Sequence, residues 1–159
     1  MTIKVGDKIP AMTLKTMVDG NPLDITSNEI FSGKKVVLFA VPGAFTPGCS
    51  MTHLPGYVVN ADKIKALSVD TIACLAVNDA FVTGAWGEAQ NADQLLMLAD
   101  GNGDFTRALG LELDITAHGL GIRSQRYAMI VEDGTVTTLN IESGPDISVS
   151  AAQTILEAL

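Results

Sequence analysis

The period with which apolar and polar residues alternate changes several times along the chain, and each change marks an element. Val36-Val37-Leu38-Phe39-Ala40-Val41 is an unbroken apolar run, the pattern of a strand buried on both faces, here within Lys34–Val41. Thr71-Ile72-Ala73-Cys74-Leu75-Ala76-Val77 is a second such strand, and Leu95–Ala99 a shorter third. Between the first two, roughly Met51–Leu67 is helical, with Ile64 and Leu67 on an apolar face beside solvated Asp62, Lys63 and Lys65. Pro55-Gly56 is expected to kink its early turns. Asn78 or Asp79 caps a further helix through Phe81 and Trp86 to about Gln90, and Asp104–Leu109 forms another after the turn Asp100-Gly101-Asn102-Gly103.

The two ends of the chain read as β-rich. Met12–Thr16 and Pro22–Ile25 flank a turn at Asp19-Gly20-Asn21-Pro22, a hairpin suited to covering a sheet edge, and Ser27 is placed to cap the short helix that follows. Tyr127–Val131 and Val136–Ile141 flank Glu132-Asp133-Gly134-Thr135, where Asp-Gly is a strong hairpin signal. Ser148 or Ser150 is expected to cap a last helix ending at Leu159. Strands alternating with helices early and a hairpin late imply an α/β protein: a thioredoxin-like fold with a central mixed β-sheet flanked by helices and an N-terminal β-hairpin.

Composition narrows this picture. With 159 residues and 47% hydrophobic content, residues 1–159 can bury one domain's core without disulfides or metals. Only Cys49 and Cys74 are present, at a spacing that fits neither a zinc site nor a secreted disulfide framework. Ten basic against eighteen acidic residues give a net charge of −8, which argues against nucleic acid or an anionic membrane as partner. The start MTIKVGDKIP carries no apolar segment of signal-peptide length and no later run approaches a membrane span, so a cytoplasmic, reducing setting is expected.

The first buried strand stops at Pro42-Gly43-Ala44-Phe45-Thr46-Pro47-Gly48-Cys49. Two prolines and two glycines forbid its continuation and place Cys49 at the first turn of a helix. There, unpaired backbone N–H groups and the positive end of the helix dipole favour thiolate over thiol. A reactive cysteine and a small buried hydrophobe are evenly matched readings of Cys49 alone. Thr46 stands where a thioredoxin-like loop would carry the first cysteine of a Cys-x-x-Cys pair. Dithiol exchange within the loop is therefore excluded, while a hydroxyl beside a thiolate can donate to it or to a bound oxygen. Arg123 and Arg126 lie in a stretch with few other charges, and read alone they are surface cations.

Pro42, Thr46 and Cys49 fit the Pro-x-x-x-Thr-x-x-Cys signature of peroxiredoxins. PGAFTPGCS-x-THLPG and VNDAFVTGAW resemble the type II, or peroxiredoxin-5-like, subfamily, and the similarity extends through LADG and GLGIRSQRYAM over essentially the whole chain. The resemblance implies a thiol peroxidase without cofactor, acting on hydrogen peroxide and alkyl hydroperoxides and working as a homodimer, with loops such as those of Phe45 and Phe81 at the interface. It makes Cys49 the peroxidatic nucleophile, Thr46 a donor to the thiolate and bound peroxide, Pro42 a shield for the pocket and Arg126 the active-site arginine, with Arg123 placed to orient or reinforce it. His53, four residues after Cys49, shares its helix face. A Cys–His pair is conceivable there, but supporting the pocket by hydrogen bonding is favoured, and a metal role has too few ligands nearby. Cys74, in mid-strand, reads as a buried inert thiol, although some related type II enzymes resolve the oxidised cysteine with a second one. The position of the resolving cysteine in animal relatives is Val149 here. That departure favours an external thiol, glutathione with glutaredoxin, with thioredoxin as the alternative. A peroxide-sensing binding protein without turnover is the remaining reading from a different class.

Overall fold

The computed structural model describes Met1–Leu159. The elements run β1 (Thr13–Val18), β2 (Asn21–Thr26), α1 (Ser27–Phe31), β3 (Lys35–Val41), a π-helical turn (Cys49–His53), α2 (Leu54–Lys65), β4 (Thr71–Ala76), α3 (Ala80–Ala89), β5 (Leu96–Ala99), α4 (Asp104–Leu109), β6 (Glu112–Asp114), a 3₁₀ turn (Thr116–His118), β7 (Ile122–Ser124), β8 (Tyr127–Glu132), β9 (Thr135–Ile141) and α5 (Ala152–Ala158). Seven strands form one mixed sheet in the order β2-β1-β5-β4-β3-β8-β9. β3 runs parallel to β4 and antiparallel to β8, so the longest apolar run lies inside the sheet with neighbours on both sides.

Both faces of this sheet are covered, which is why its inner strands are apolar without alternation. Val37, Phe39 and Val41 point into a cluster with Leu54, Tyr57 and Ile64 of α2, Trp86 of α3 and Ile155 of α5. Val36, Leu38 and Ala40 point the other way, into a cluster with Ile30 and Phe31 of α1 and Phe105 and Leu109 of α4. Trp86 is fully buried, as a core aromatic should be, whereas Phe45 and Phe81 are 55% and 64% exposed.

Several boundaries differ from expectation for local reasons. The first hairpin turns on Asp19-Gly20 alone, both with positive φ, while Asn21 and Pro22 belong to β2. β2 is the edge of the sheet, where the absent N–H of Pro22 costs no ladder bond. Thr26, not Ser27, caps α1, in a reciprocal capping box with Glu29; the Ser27 hydroxyl is committed to Pro10 O at 2.9 Å. Neither Ser148 nor Ser150 caps α5. The N-cap is Ala151, because the Ser150 hydroxyl is drawn to Glu142 at 2.6 Å. α2 ends at Lys65, so Leu67 lies beyond it and is 42% exposed. The small β6–β7 sheet, which carries Arg123, went unread because strands of three residues each show no period.

Pro55 does not kink a continuous α-helix as expected. Helical backbone begins at Pro47, and the chain then widens into the π-turn, with Leu54 N–H donating to Cys49 O. A proline ring clashes with the carbonyl four residues earlier in a regular helix. One extra residue in the preceding turn relieves that clash.

Candidate active site

The register of the sheet assembles the site. Ala40 on β3 faces Tyr127 on β8, so Arg126, immediately before β8, emerges where Pro42 terminates β3. The loop then returns through Phe45, whose φ of +65° is a left-handed conformation rare for a bulky residue, and is held by Ala44 N–H donating to Asn78 Oδ1 at 2.9 Å. Cys49 is brought onto Arg126 within the first helical turn. Its Sγ is fully buried. Thr46 Oγ1 lies 2.9 Å from it and Arg126 Nη2 3.2 Å.

Thr46 Oγ1 is also 2.7 Å from Gly43 O. A hydroxyl has one hydrogen, so it donates to one acceptor at a time. With Cys49 as a thiol, S–H donates to Oγ1 and the hydroxyl to Gly43 O. With Cys49 as a thiolate, the hydroxyl turns to sulfur. Arg126 donates in either case and is matched only by an anion. The two donors therefore suit a thiolate, or an oxygen brought up to it.

His53, 1% exposed, sits on the other side of the guanidinium. Arg126 Nη1 donates to its Nδ1 at 2.9 Å, and its Nε2 lies 3.0 Å from Ser150 O. Arginine cannot accept a hydrogen bond and a carbonyl cannot donate one, so the ring is the neutral Nε2–H tautomer. Burial, with a smaller contribution from the Arg126 charge, lowers its pKa from 6.5 to about 4. Neutral His53 is an acceptor for Arg126 and makes no hydrogen bond to Cys49.

The sign of the linkage follows. The unfolded chain binds a proton at His53 below 6.5 and the folded chain only below about 4. This contribution to stability is complete above pH 6.5 and is lost as pH falls toward 4. Its size is about 3 kcal/mol. In urea titrations the acid destabilisation of the wild type over that window should be shallower in His53→Leu by this amount; identical pH slopes would contradict the burial of a neutral ring.

Arg123 is placed differently from its expected role beside Arg126. It donates from Nε to Leu120 O at 2.9 Å and from Nη1 to Pro42 O at 3.3 Å. It buttresses the Pro42 loop, with no hydrogen bond to Arg126. A Cβ at Gly43 would come within 2.8 Å of Arg123 Nη1, so a side chain there would displace the guanidinium. Pro42, half-buried, lines an open cleft of about 520 Å³ with Gly48, Arg126, Leu113, Ile115, Gln125, Glu142 and the Ser143-Gly144-Pro145 turn. Cys74 lies in β4, fully buried and reduced. Burial and then the nearby Cys49 raise its pKa well above that of a free thiol. His118 is exposed on its 3₁₀ turn, away from these contacts.

The geometry meets a family at this point. The Redoxin family model matches residues 4–156. The chain belongs to the peroxiredoxins. It is similar to peroxiredoxin-2D of Arabidopsis thaliana, 46% identical over 99% of this chain and 98% of that one, and to the chloroplastic peroxiredoxin-2E-2 of Oryza sativa subsp. japonica, 50% identical over 99% of this chain and 73% of that one. Among solved structures it resembles reduced Prx3 of Vibrio vulnificus in complex with hydrogen peroxide, with 57% identity, 99% of both chains covered and a TM-score of 0.95. Peroxiredoxins reduce peroxides through a cysteine thiol and are recycled by thiol reductants, so this chain is a thiol peroxidase. No helix in it is long and apolar enough to cross a membrane.

Sequence reasoning did not single out Glu142 or Tyr57 and read Ser150 only as a candidate helix cap, although Ser150 O is the group that orients His53. Glu142 had a signal. The Asp133-Gly134 hairpin pairs Tyr127 with Ile141, which places residue 142 opposite residue 126.

Proposed function

We propose that Cys49 is the residue oxidised by peroxide, and that the sulfenic acid so formed is reduced by glutathione with glutaredoxin. One observation carries the reading: a buried sulfur with a hydroxyl and a guanidinium as donors, 2.9 Å and 3.2 Å away. The thiolate attacks the terminal oxygen of a hydroperoxide. The S–O bond forms as O–O breaks, the leaving alkoxide or hydroxide takes up a proton as alcohol or water, and Cys49 is left as sulfenic acid. Thr46 and Arg126 hold the peroxide and stabilise charge developing on the breaking bond. Pro42 shields the sulfur, and Arg123 acts by fixing the Pro42 carbonyl.

Glutathione thiolate then attacks the sulfenic sulfur, forming the S–S bond as S–O breaks; hydroxide leaves and takes up a proton from solvent as water, and glutaredoxin reduces the mixed disulfide by thiol–disulfide exchange. Two features favour this over an internal disulfide. Val149 occupies the C-terminal position where a resolving cysteine would stand, and the Cys74 thiol is held protonated in mid-strand, a poor attacking group. Steady-state assays with hydrogen peroxide decide between reductants. Turnover is expected with glutathione plus glutaredoxin; turnover confined to thioredoxin plus its reductase would sink the glutathione reading. Oxidation that stops near one equivalent with every reductant would instead mark a sensor. The exposed Phe45 and Phe81 suit a homodimer interface, and cytoplasm is the compartment in which glutathione would serve.

A further inference from the structure

Arg126 is held by a closed ring of hydrogen bonds that starts and ends on it. Its carbonyl accepts from Glu142 N–H at 2.9 Å. The Glu142 carboxylate accepts four bonds: Ser148 N–H at 2.8 Å, Ser148 Oγ at 3.2 Å, Ser150 N–H at 2.9 Å and Ser150 Oγ at 2.6 Å. The Ser150 carbonyl in turn accepts His53 Nε2–H at 3.0 Å and Tyr57 O–H at 2.7 Å. His53 Nδ1 accepts from Arg126 Nη1 at 2.9 Å, which closes the ring and leaves Nη2 on Cys49. Tyr57 is itself stacked on Phe39, centroids 3.8 Å apart.

We propose that Glu142 is a positioning residue for the peroxidase reaction, acting on Arg126 through the Ser150 carbonyl and the tautomer of His53. The residues from 143 to 149 are largely exposed; Asn140 Nδ2 on Val149 O at 3.0 Å and Thr154 Oγ1 on Ser148 O at 2.7 Å also hold the turn, but the bonds to the Ser150 N–H and hydroxyl come from the Glu142 carboxylate. With the Ser150 carbonyl displaced, Nε2–H loses its acceptor and only the Arg126 donor still selects that tautomer. The ring can then place its hydrogen on Nδ1, where it meets the guanidinium donor to donor and turns Arg126 away from sulfur. The charge of Glu142 acts at a distance; its geometry acts through three named bonds. The inference rests on the assignment of Cys49 as the reacting thiol, but its central observable, the tautomer, does not.

The test uses the whole protein and two substitutions, Glu142→Ala and Glu142→Gln. Only two histidines are present, so ¹⁵N–¹H correlation resolves His53, with the exposed His118 as internal reference. Wild type and Glu142→Gln, whose amide oxygen still accepts from the turn, are expected to show the pure Nε2–H pattern and similar rates of Cys49 oxidation. Glu142→Ala is expected to show mixed tautomers and a rate lower by about ten- to a hundredfold. A lower rate with an unchanged tautomer, or an unchanged rate with a folded Glu142→Ala, would overturn the proposal. If Glu142→Ala does not fold, Ser150→Ala is read the same way: it removes one of the four bonds, keeps the carbonyl and should shift both readouts partway. Peroxidase activity surviving in Cys49→Ser would instead overturn the assignment of the reacting thiol, whatever the tautomer shows.

Discussion

Peroxide consumption is expected to vanish in Cys49→Ser and to persist in Cys74→Ser. A serine hydroxyl in the same contacts does not ionise near neutrality and is a far weaker nucleophile toward an O–O bond, so the loss should exceed about a thousandfold. The two donors that face the sulfur, Thr46 Oγ1 and Arg126 Nη2, would still be in place, and that residual pocket should not rescue the rate. Cys74 makes the opposite case. It is paired with Phe39 across β3 and β4 and has no exposed surface. Peroxide consumption with glutathione and glutaredoxin, together with mass spectrometry of the oxidised protein, separates the outcomes. A Cys49–Cys74 disulfide in the wild type, with turnover lost in Cys74→Ser, would show that Cys74 resolves the sulfenic acid, and recycling by an external thiol would have to be abandoned.

The fold was legible where one physical cause dominated. An unbroken apolar run has one low-energy home, and β3 and β4 lie there; Asp133-Gly134 supports one kind of turn, and β8 and β9 flank it. It was not legible where causes competed locally. Ser27 and Thr26 are both good caps, and the choice falls to Thr26 because Glu29 stands three residues after it while Pro10 claims the Ser27 hydroxyl. Ser148 and Ser150 are good caps that Glu142 diverts from the helix. The π-turn at Cys49–His53 has no sequence period of its own, since it is one residue inserted to seat Pro55.

The site divides in the same way. Cys49 and Thr46 were visible as a spacing within one loop. Arg126 looked like a surface charge until the resemblance singled it out, because its proximity is a product of sheet register that acts across 77 residues. Arg123, three residues away, shared every local feature with it and yet faces the Pro42 carbonyl instead. What distinguishes the two is which side of Ser124 and Gln125 each lies on: Arg123 belongs to β7 and Arg126 adjoins β8.

Arg126→Lys is the sharper test of how the pocket works, because it separates charge from geometry. Arg126 uses two nitrogens at once, Nη1 on His53 Nδ1 at 2.9 Å and Nη2 on Cys49 Sγ at 3.2 Å. Lysine keeps the positive charge but offers one nitrogen on a flexible stem, and it cannot span both partners in a fixed plane. If the arginine served only to favour the thiolate, the substitution would be mild. If it also holds the peroxide oxygen in line as O–O breaks, kcat/KM for peroxide should fall by about a hundred- to a thousandfold. Trp86 gives a direct signal for the rate, since its indole N–H donates to Ser50 Oγ at 2.9 Å, one residue from Cys49. Stopped-flow fluorescence on mixing with hydrogen peroxide reads the first half-reaction alone, free of any reductant. A rate within a few-fold of wild type would mean that charge suffices and that the fork of the guanidinium has no part in the chemistry. The expected loss would instead place the catalytic advantage in the angle at which one planar cation is held between a neutral histidine and the Cys49 sulfur.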